Sequence, residues 1–408
     1  MPTEKWAKRP EISNEYRCLL YLLNCGIHKK IPSLNCMQKA DQRKVAEIAN
    51  TQGILATIAY PLLAFWREHP DLKPDFADSL QGFVGKNRRK TIMMDMERER
   101  ILAELESRGI WYLPLKGIIM KEMYPEFGMR EMSDNDILYN PDYKKQVCDL
   151  FEQWGYDRKG PSAHISFIKG DYHFEMHTRL IDSRVLPHIA SYYHGGYNRL
   201  VPVDGKLYEK AMRDEDFYIF MVVHAFKHYH KGGTGVRILA DMKLYLTQKM
   251  DTMDWGYIRE QFQILQLTEF ERDLRELTLK VLPDSSAMKG DMITSLTDRE
   301  CRFLYLFLTS GAYGTKEYFM LKKIGEISSK EPGKNMAAAR KKYLLYRLFP
   351  GRERFRESNP LLYKIPILLP GFWFYRIGKM LLTKPGSALE EVRRVRKADD
   401  DSIRLIPK

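Results

Sequence analysis

The chain has 408 residues, enough for more than one domain, and its 44% hydrophobic and 29% charged residues exclude a disordered protein. A formal net charge of +13 implies attraction to polyanions such as nucleotides, nucleic acid, anionic lipid or phosphorylated sugars, without selecting among them. The five cysteines are scattered and lack CxxC spacing, which argues against a disulfide framework or a zinc site and favours a cytoplasmic protein.

The N-terminal region is predicted to be helical. Its first 16 residues lack the apolar segment of a signal peptide, and no apolar run is long enough for a transmembrane segment. Residues 40–66 show helical spacing, with Pro61 expected to start or kink a second helix. Residues 86–108 are predicted to form a long helix that ends at Gly109. Its expected buried stripe consists of Ile92, Met96, Ile101 and Leu105.

Two short strands are predicted next. Residues 110–115 (IWYLPL) read as a buried strand that leads into a turn at Lys116-Gly117. Residues 134–139 (DNDILY) fit a second strand, in which Asp134 and Asp136 point to the same side because side chains alternate along a strand.

A helix and a hairpin complete this part of the pattern. Residues 141–154 are predicted to be helical. Residues 163–180 alternate like a hairpin that turns at Gly170-Asp171. On its second arm Glu175 and His177 share one face, opposite two core residues. The order strand, helix, hairpin predicts a unit of the βαβ sort.

The remaining chain is predicted to be helical. Residues 215–230 are amphipathic, and His224 and His228 lie one turn apart on them. A zinc site would need a third ligand and an HExxH pattern, which is absent, so His228 is either a structural or an acceptor-site residue. The KGGTG loop that follows lacks a Walker A ending and is either a phosphate contact or an interhelical loop.

The last segment, residues 351–408, is rich in proline, aromatic and basic residues. Phe372-Trp373 with Arg376 and Lys379 fits either peripheral contact with a membrane surface or a helix packed on the core. We expect packing on the core and a protein that stays soluble on lysis.

Three carboxylates, Asp134, Asp136 and Glu175, are expected on neighbouring strands near the Lys116-Gly117 turn. Magnesium, or Mn²⁺, prefers such oxygen ligands together with substrate phosphates, so the pattern favours metal-dependent phosphoryl transfer. Asp134 and Asp136 are the expected metal ligands, and Glu175 completes the metal site or acts as a base. Lys116, Gly117 and Arg130 would hold phosphates. Arg130 could instead pair with Glu131 or Asp134.

The combined motifs resemble the uncharacterised bacterial nucleotidyltransferase family of the polymerase-β-type nucleotidyltransferase superfamily. The segments that carry the resemblance are Leu115-Lys116-Gly117, Tyr124-Pro125, Arg130, Asp134-Asn135-Asp136-Ile137-Leu138, Gly155-Tyr156 and Glu175-Met176-His177. It continues into His224, His228, Arg237 and Asp241. Two departures are Lys116, where better-studied nucleotidyltransferases carry Gly-Ser, and Asn135, where an apolar residue is usual.

This resemblance implies an α+β fold, with a nucleotidyltransferase-type mixed sheet between N-terminal and C-terminal helical regions. The expected domains are 1–94 (helical), 95–205 (catalytic), 206–350 (helical) and 351–408 (extension). The implied reaction moves an NMP from an NTP to a hydroxyl or phosphate acceptor by a two-metal mechanism. His177, His228, Arg237 and Asp241 are candidate acceptor-site or supporting residues.

Two other functions remain open at this point. One is a catalytically inactive nucleotidyltransferase fold that binds nucleotide or RNA. The other is an enzyme that acts on polynucleotides, which the charge of +13 suggests but which lacks a recognisable RNA-binding module. The acceptor could be a small molecule, a sugar or a protein, and nucleic acid is not favoured.

Overall fold

A computed structural model describes residues 9–159, 164–181, 187–194, 199–284, 293–312, 314–330, 335–355, 359–383 and 385–397. The chain forms two compact units. The larger one is Pro10–Tyr313, and the smaller one contains the helices that follow Gly314.

Five helices precede the sheet in the larger unit. They are α1 (Asn14–Ile27), α2 (Leu34–Met37), α3 (Gln42–Gln52), α4 (Leu55–Glu68) and α5 (Ala77–Ser107). Asp41 begins α3 by accepting bonds from the backbone N–H groups of Arg43 and Lys44. Helix α3 ends at Gly53, whose φ of +62° suits glycine.

Two details of this helical region differ from the predictions. Pro61 lies inside α4 and does not start a helix, because the break falls earlier, at Gly53 and Ile54. Along α5, Ile101 and Leu105 are buried as predicted, but Ile92 and Met96 are exposed. The predicted stripe was wrong in its N-terminal half because the side of α5 that is buried there carries Thr91, Met94 and Arg98 instead.

The central sheet contains five strands. They are β1 (Tyr112–Pro114), β2 (Asn135–Tyr139), β3 (Asp157–Lys159), β4 (His164–Lys169) and β5 (Tyr172–His177). Their spatial order is β1-β2-β5-β4-β3, and β2 and β5 are parallel while the other neighbouring pairs are antiparallel. The predicted hairpin corresponds to β4 and β5, with Gly170 in the turn at φ +56°.

Aromatic packing holds one face of this sheet. Helices α6 (Gly117–Met120) and α7 (Lys144–Gln153) fall within the sheet region of the sequence. Phe151 of α7 stacks on Phe167 of β4 with ring centroids 4.2 Å apart. Phe174 of β5 meets Phe151 edge to face. The side chains of β2 and β5 on the other face of the sheet are therefore available to the site described below.

Helices and a two-stranded ribbon follow the sheet in the larger unit. They are α8 (Pro187–Tyr192), β6 (Val201–Pro202), β7 (Lys210–Ala211), α9 (Asp214–Lys231), α10 (Arg237–Lys249), α11 (Trp255–Ile264), α12 (Thr268–Val281) and α13 (Asp298–Ser310). The extensive apolar core shared by these helices also includes α1, α3 and α4. Part of it, Leu113 and Leu138, belongs to β1 and β2, so the helices position the sheet.

The smaller unit is entirely helical in its described part. It contains α14 (Lys316–Ser328), α15 (Met336–Leu348), α16 (Pro360–Lys364), α17 (Leu369–Thr383) and α18 (Pro385–Lys397). Helices α14, α15 and α18 share one small core, and α16 and α17 share another around Phe355.

The architecture confirms the predicted α+β class, with a mixed sheet between N-terminal and C-terminal helical regions. The predicted domain limits remain predictions, and the one at residue 94 falls inside α5. Among the described helices, none combines the length and the apolar character that crossing a bilayer requires.

Candidate functional site

The register of β2 against β5 brings two of the predicted carboxylates together. Asp136 lies directly opposite Glu175 in this parallel pair. His177 follows Glu175 by two positions and therefore shares its face. On the other face Phe174 and Met176 are buried, as predicted. The sheet therefore carries an acidic patch on one face and an apolar core on the other.

Asp136 is the centre of this patch. Its Oδ1 accepts a bond from Lys116 Nζ at 2.7 Å and lies 2.6 Å from His177 Nε2. The same His177 nitrogen is 3.8 Å from Glu175 Oε2. Burial alone would raise the pKa of Asp136, but Lys116 and His177 hold that pKa well below its usual range. Asp136 is therefore ionised throughout the physiological pH range.

Asp134 has a different environment, although it is only two residues away. It lies just before β2, and its Oδ1 accepts a bond of 3.0 Å from Ser133 Oγ. Burial raises its pKa first, and the negative charges of Asp136 and Glu175 raise it further. The ionised form of Asp134 is thus disfavoured by its neighbours, and a bound cation would relieve this repulsion.

The donor set fits a divalent metal ion. Asp136, Glu175 and His177 each offer one ligand atom, and these atoms lie within 4.8 Å of one another. Such spacing suits metal bonds of about 2.0–2.3 Å. Carboxylate oxygens are typical of Mg²⁺ and Mn²⁺ sites, whereas an imidazole nitrogen favours a transition metal. Asp134 lines the same cleft.

The Lys116-Gly117 turn closes one side of the site. Lys116 has φ +48° and ψ −110°, a conformation that costs a non-glycine residue about 1–3 kcal/mol. Gly117 is required for packing, since a Cβ there would lie 2.7 Å from Arg130 Nη1. The backbone N–H groups of Lys116 and Gly117 find no acceptor within the described part of the chain. They can therefore bond to a ligand.

Arg130 pairs with neither of the residues suggested by the sequence. Its Nε and Nη2 donate to the two carboxylate oxygens of Asp241 at 2.9 and 2.8 Å. Tyr124 donates its hydroxyl to the same carboxylate at 2.8 Å. Glu131 accepts from the backbone N–H of Ala56 at 2.9 Å instead, near the start of α4. Arg130 still lines the cleft, and its contact with phosphate stays a prediction.

Basic and imidazole side chains line the same cleft as the carboxylates. They are His224, Lys227 and His228 of α9 together with Arg237 of α10, and the cleft has a volume of about 320 Å³. His224 Nε2 and His228 Nε2 are 3.0 Å apart. Two imidazolium N–H groups would repel at this distance, so at least one ring is neutral. Burial lowers the pKa of His224 well below 6.5, and Lys227 and Lys116 lower it further.

The structure brings most of the predicted site residues into one cleft. Its lining includes Lys116, Gly117, Arg130, Asp134, Asp136, Glu175, His228, Arg237 and Asp241. His177 joins them through Asp136. The contacts of Ser133 and Tyr124 were missed by sequence reasoning. Tyr124 belongs to the Tyr124-Pro125 segment that carries the family resemblance, so the sequence did contain a signal for this residue. Nothing in the sequence marks Ser133.

Comparison with known proteins identifies a family. A family model described as "uncharacterised nucleotidyltransferase" matches residues 38–283, which is more than half of the chain. The match includes the whole sheet and both basic helices of the cleft. Neither the search of curated proteins nor that of solved structures found a match.

Proposed function

The chain belongs to the uncharacterised nucleotidyltransferase family, and we propose that it moves an NMP from an NTP to a hydroxyl or phosphate acceptor by a two-metal Mg²⁺ or Mn²⁺ mechanism. The observation that carries the proposal is the pairing of Asp136 with Glu175 across parallel strands, in a cleft that also holds basic side chains. The acceptor would be a small molecule, a sugar or a protein. The reducing compartment suggested by five free cysteines supports a cytoplasmic location.

The carboxylates and His177 would form the metal-binding side. Asp136, Glu175 and His177 would hold one divalent ion, and Asp134 would supply a further carboxylate to a second. Bound metal would activate the attacking oxygen and neutralise charge on the triphosphate. Glu175 is also the candidate base for the acceptor. Burial and then the negative charges of Asp136 and Glu175 raise the pKa of Asp134. A bound cation would offset this repulsion, which supports metal binding by Asp134.

The basic side chains would hold the nucleotide phosphates. Lys116 carries the charge nearest the carboxylates, and its pKa is raised because Asp136 outweighs the effect of burial. The N–H groups of Lys116 and Gly117 offer further donors to phosphate oxygens. Arg237 and Lys227 add positive charge to the cleft. His228, whose Nε2 lies 3.0 Å from that of His224, is the candidate for binding an acceptor hydroxyl.

Arg130 and Asp241 would hold the Lys116-Gly117 turn in position. The two-bond ion pair fixes the Arg130 guanidinium, and its Nη1 lies against Gly117. Through this contact Arg130 orients the Lys116-Gly117 turn, whether or not it also contacts phosphate. Asp241 therefore acts as a positioning residue in this proposal.

The test combines nucleotide binding with turnover. Thermal unfolding of the wild type and of Asp134→Asn/Asp136→Asn is followed with each NTP, with and without Mg²⁺ or Mn²⁺. A bound ligand stabilises the folded state by about 2.7 kcal/mol at a hundred times its Kd, so occupancy raises Tm. We expect a metal-dependent rise for at least one NTP in the wild type and none in the variant.

Pyrophosphate release then measures turnover with candidate acceptors. We expect Asp136→Ala to lose activity by about a thousandfold while it remains folded. Asp142→Asn/Asp171→Asn is the matched control, because both carboxylates are exposed on the same unit. Full activity in Asp136→Ala, or equal loss in the control, would refute the proposed site.

Nucleotide binding without turnover is the second candidate. The observation in its favour is the ion pair of Lys116 with Asp136, since a protein cation already neutralises this carboxylate. This candidate predicts that an NTP raises Tm without added metal and that no acceptor yields pyrophosphate. Lys116→Met should weaken nucleotide binding in both cases, so the two candidates are separated by whether the rise in Tm requires metal and by whether pyrophosphate is released.

A further inference from the structure

A segment of the smaller unit exposes an unusual amount of apolar surface. Its large apolar side chains that face solvent are Leu361, Ile365, Ile367, Leu368, Phe374, Tyr375 and Leu382. Ile367 is 84% exposed, Phe374 70% and Leu382 86%. All seven lie within 22 consecutive positions, on α16, on α17 and on the turn between them. Exposed apolar patches of this kind mark interaction sites.

Helix α17 is apolar on both sides. Leu369, Phe372 and Trp373 pack with Phe355 and Leu362 in the local core. Trp373 also donates its Nε1–H to the carbonyl of Pro350 at 3.1 Å. A surface helix normally carries polar residues on its outer side. The outer side of α17 instead carries Phe374, Tyr375 and Leu382, which helical spacing places together. Packing on the core therefore accounts for only one side of the predicted helix.

The charged residues within this segment of the sequence have one sign. No aspartate or glutamate occurs from residue 358 to residue 389, whereas Lys364, Arg376, Lys379 and Lys384 do. Lys364 and Lys379 are exposed. Burial lowers the pKa of Arg376 first, and the neighbouring Arg354 and Arg347 lower it further by repulsion that Glu391 only partly offsets. An anionic partner would relieve this repulsion.

We propose that this surface, formed by Leu361, Ile365, Ile367, Leu368, Phe374, Tyr375 and Leu382 with Lys364 and Lys379, docks on a bilayer that contains anionic phospholipid. The 15 residues of α17 would extend about 22 Å at 1.5 Å per residue, less than the ~30 Å hydrocarbon core. The helix therefore lies in the plane of the interface, with aromatic and aliphatic side chains inserted and lysines at the headgroups.

Other occupants fit the surface less well. In a symmetric dimer through this surface, two copies of the same basic segment would face each other and repel. Nucleic acid would satisfy the lysines but leave Ile367 and Leu382 without an apolar partner. An anionic bilayer supplies both negative headgroups and an apolar interior. The proposal is independent of the nucleotidyl-transfer site, because none of these residues belongs to the cleft.

The test is flotation of the full-length protein with phosphatidylcholine vesicles, with or without 30% phosphatidylglycerol. We expect the wild type to float only with the anionic vesicles. Phe374→Asp/Leu382→Asp should reduce the bound fraction at least tenfold because it blocks insertion. Its matched control is Leu207→Asp/Ile264→Asp, which alters equally exposed apolar residues of the larger unit and should bind like the wild type.

A second pair of variants tests the charges. Lys364→Glu/Lys379→Glu should also reduce binding at least tenfold, since each basic residue contributes to attraction near an anionic surface. Lys86→Glu/Lys90→Glu, on the exposed side of α5, is its control. Unchanged circular dichroism melting curves establish that each variant is folded.

Several results would overturn the proposal. The first is absence of binding to anionic vesicles by the folded wild type, and the second is equal binding to neutral vesicles. A third is binding that survives Phe374→Asp/Leu382→Asp. A concentration-dependent dimer that this variant disrupts, without vesicle binding, would assign the surface to a second copy of the chain.

Discussion

Two clusters that contain acidic side chains adjoin the same cleft, and they differ in how their charges are matched. The closed cluster consists of Tyr124, Arg130 and Asp241, in which both carboxylate oxygens receive bonds from the guanidinium. The open cluster consists of Asp134, Asp136 and Glu175, in which burial and then the negative charges of the other two raise the pKa of Asp134. The comparison teaches that a carboxylate can be matched by a cation, as Asp241 is, or held against the repulsion of its neighbours, as Asp134 is.

The closed cluster supports the fold because the charge of Arg130 matches that of Asp241. It joins the segment before β2 to α10, 111 positions apart in sequence. The open cluster is held by the register of β2 and β5, and not by its own charges. Removal of a charge should therefore destabilise the closed cluster, whereas removal of the Asp134 charge should relieve repulsion in the open one. The following predictions test this difference.

The largest expected effect is that of Arg130→Met on stability. This substitution leaves the Asp241 carboxylate buried without its cation, which should lower the free energy of unfolding by about 3–5 kcal/mol. Urea unfolding monitored by circular dichroism measures the change. A double variant, Arg130→Met/Asp241→Leu, removes both charges and should recover most of the loss. If the single variant were as stable as the wild type, the closed cluster would not be a support.

The next effect has the opposite sign and concerns Asp134→Asn. The pKa of Asp134 is raised on folding, so its ionised form at pH 7 opposes folding, and neutral asparagine removes this cost. Without metal, Tm should rise by about 2 °C, which corresponds to about 1 kcal/mol. Differential scanning fluorimetry in EDTA measures it.

Asp241→Asn is the matched substitution in the closed cluster, and it should lower Tm under the same conditions. Addition of Mn²⁺ should raise Tm more in the wild type than in Asp134→Asn, because the variant has lost one negative charge of the site. A fall in Tm for both substitutions would mean that the two clusters do not differ in the way described here.

The sequence was sufficient for the open cluster because its residues are local to recognisable elements. The spacing of Asp134 and Asp136, and the alternation around Glu175, reflect the two-residue period of strands. The hairpin turn at Gly170 was also readable, since its conformation favours glycine. These features depend on the backbone within a few residues.

The closed cluster could not be predicted because its partners are distant in sequence. Arg130 had two acidic neighbours, Glu131 and Asp134, yet it binds Asp241 on a helix far along the chain. Glu131 instead accepts a bond from the backbone N–H of Ala56, beside α4. Local patterns alone do not select a distant partner, because only tertiary packing does so. The exposed Ile92 and Met96 on α5 show that packing also decides which side of a helix is buried.

The smallest expected effect concerns His224, in the same cleft as the open cluster. Burial lowers its pKa, and the nearby groups Lys227, Lys116, His228 and His177 lower it further, so His224 is neutral when folded. Its unfolded form gains a proton as pH falls below about 6.5, whereas the folded form does not. Its contribution to stability is thus complete above pH 6.5 and is lost as pH falls below that value.

The His224 contribution can be isolated by comparing variants. The loss should amount to at most about 1.4 kcal/mol per pH unit between pH 6.5 and pH 5. His224→Asn should show a shallower fall in the free energy of unfolding over this range, measured by urea denaturation. His188→Asn, at an exposed position of α8, should retain the wild-type slope. A wild-type slope in His224→Asn would mean that His224 is charged when folded, and the cleft would then carry one more cation opposite the phosphates of a bound nucleotide.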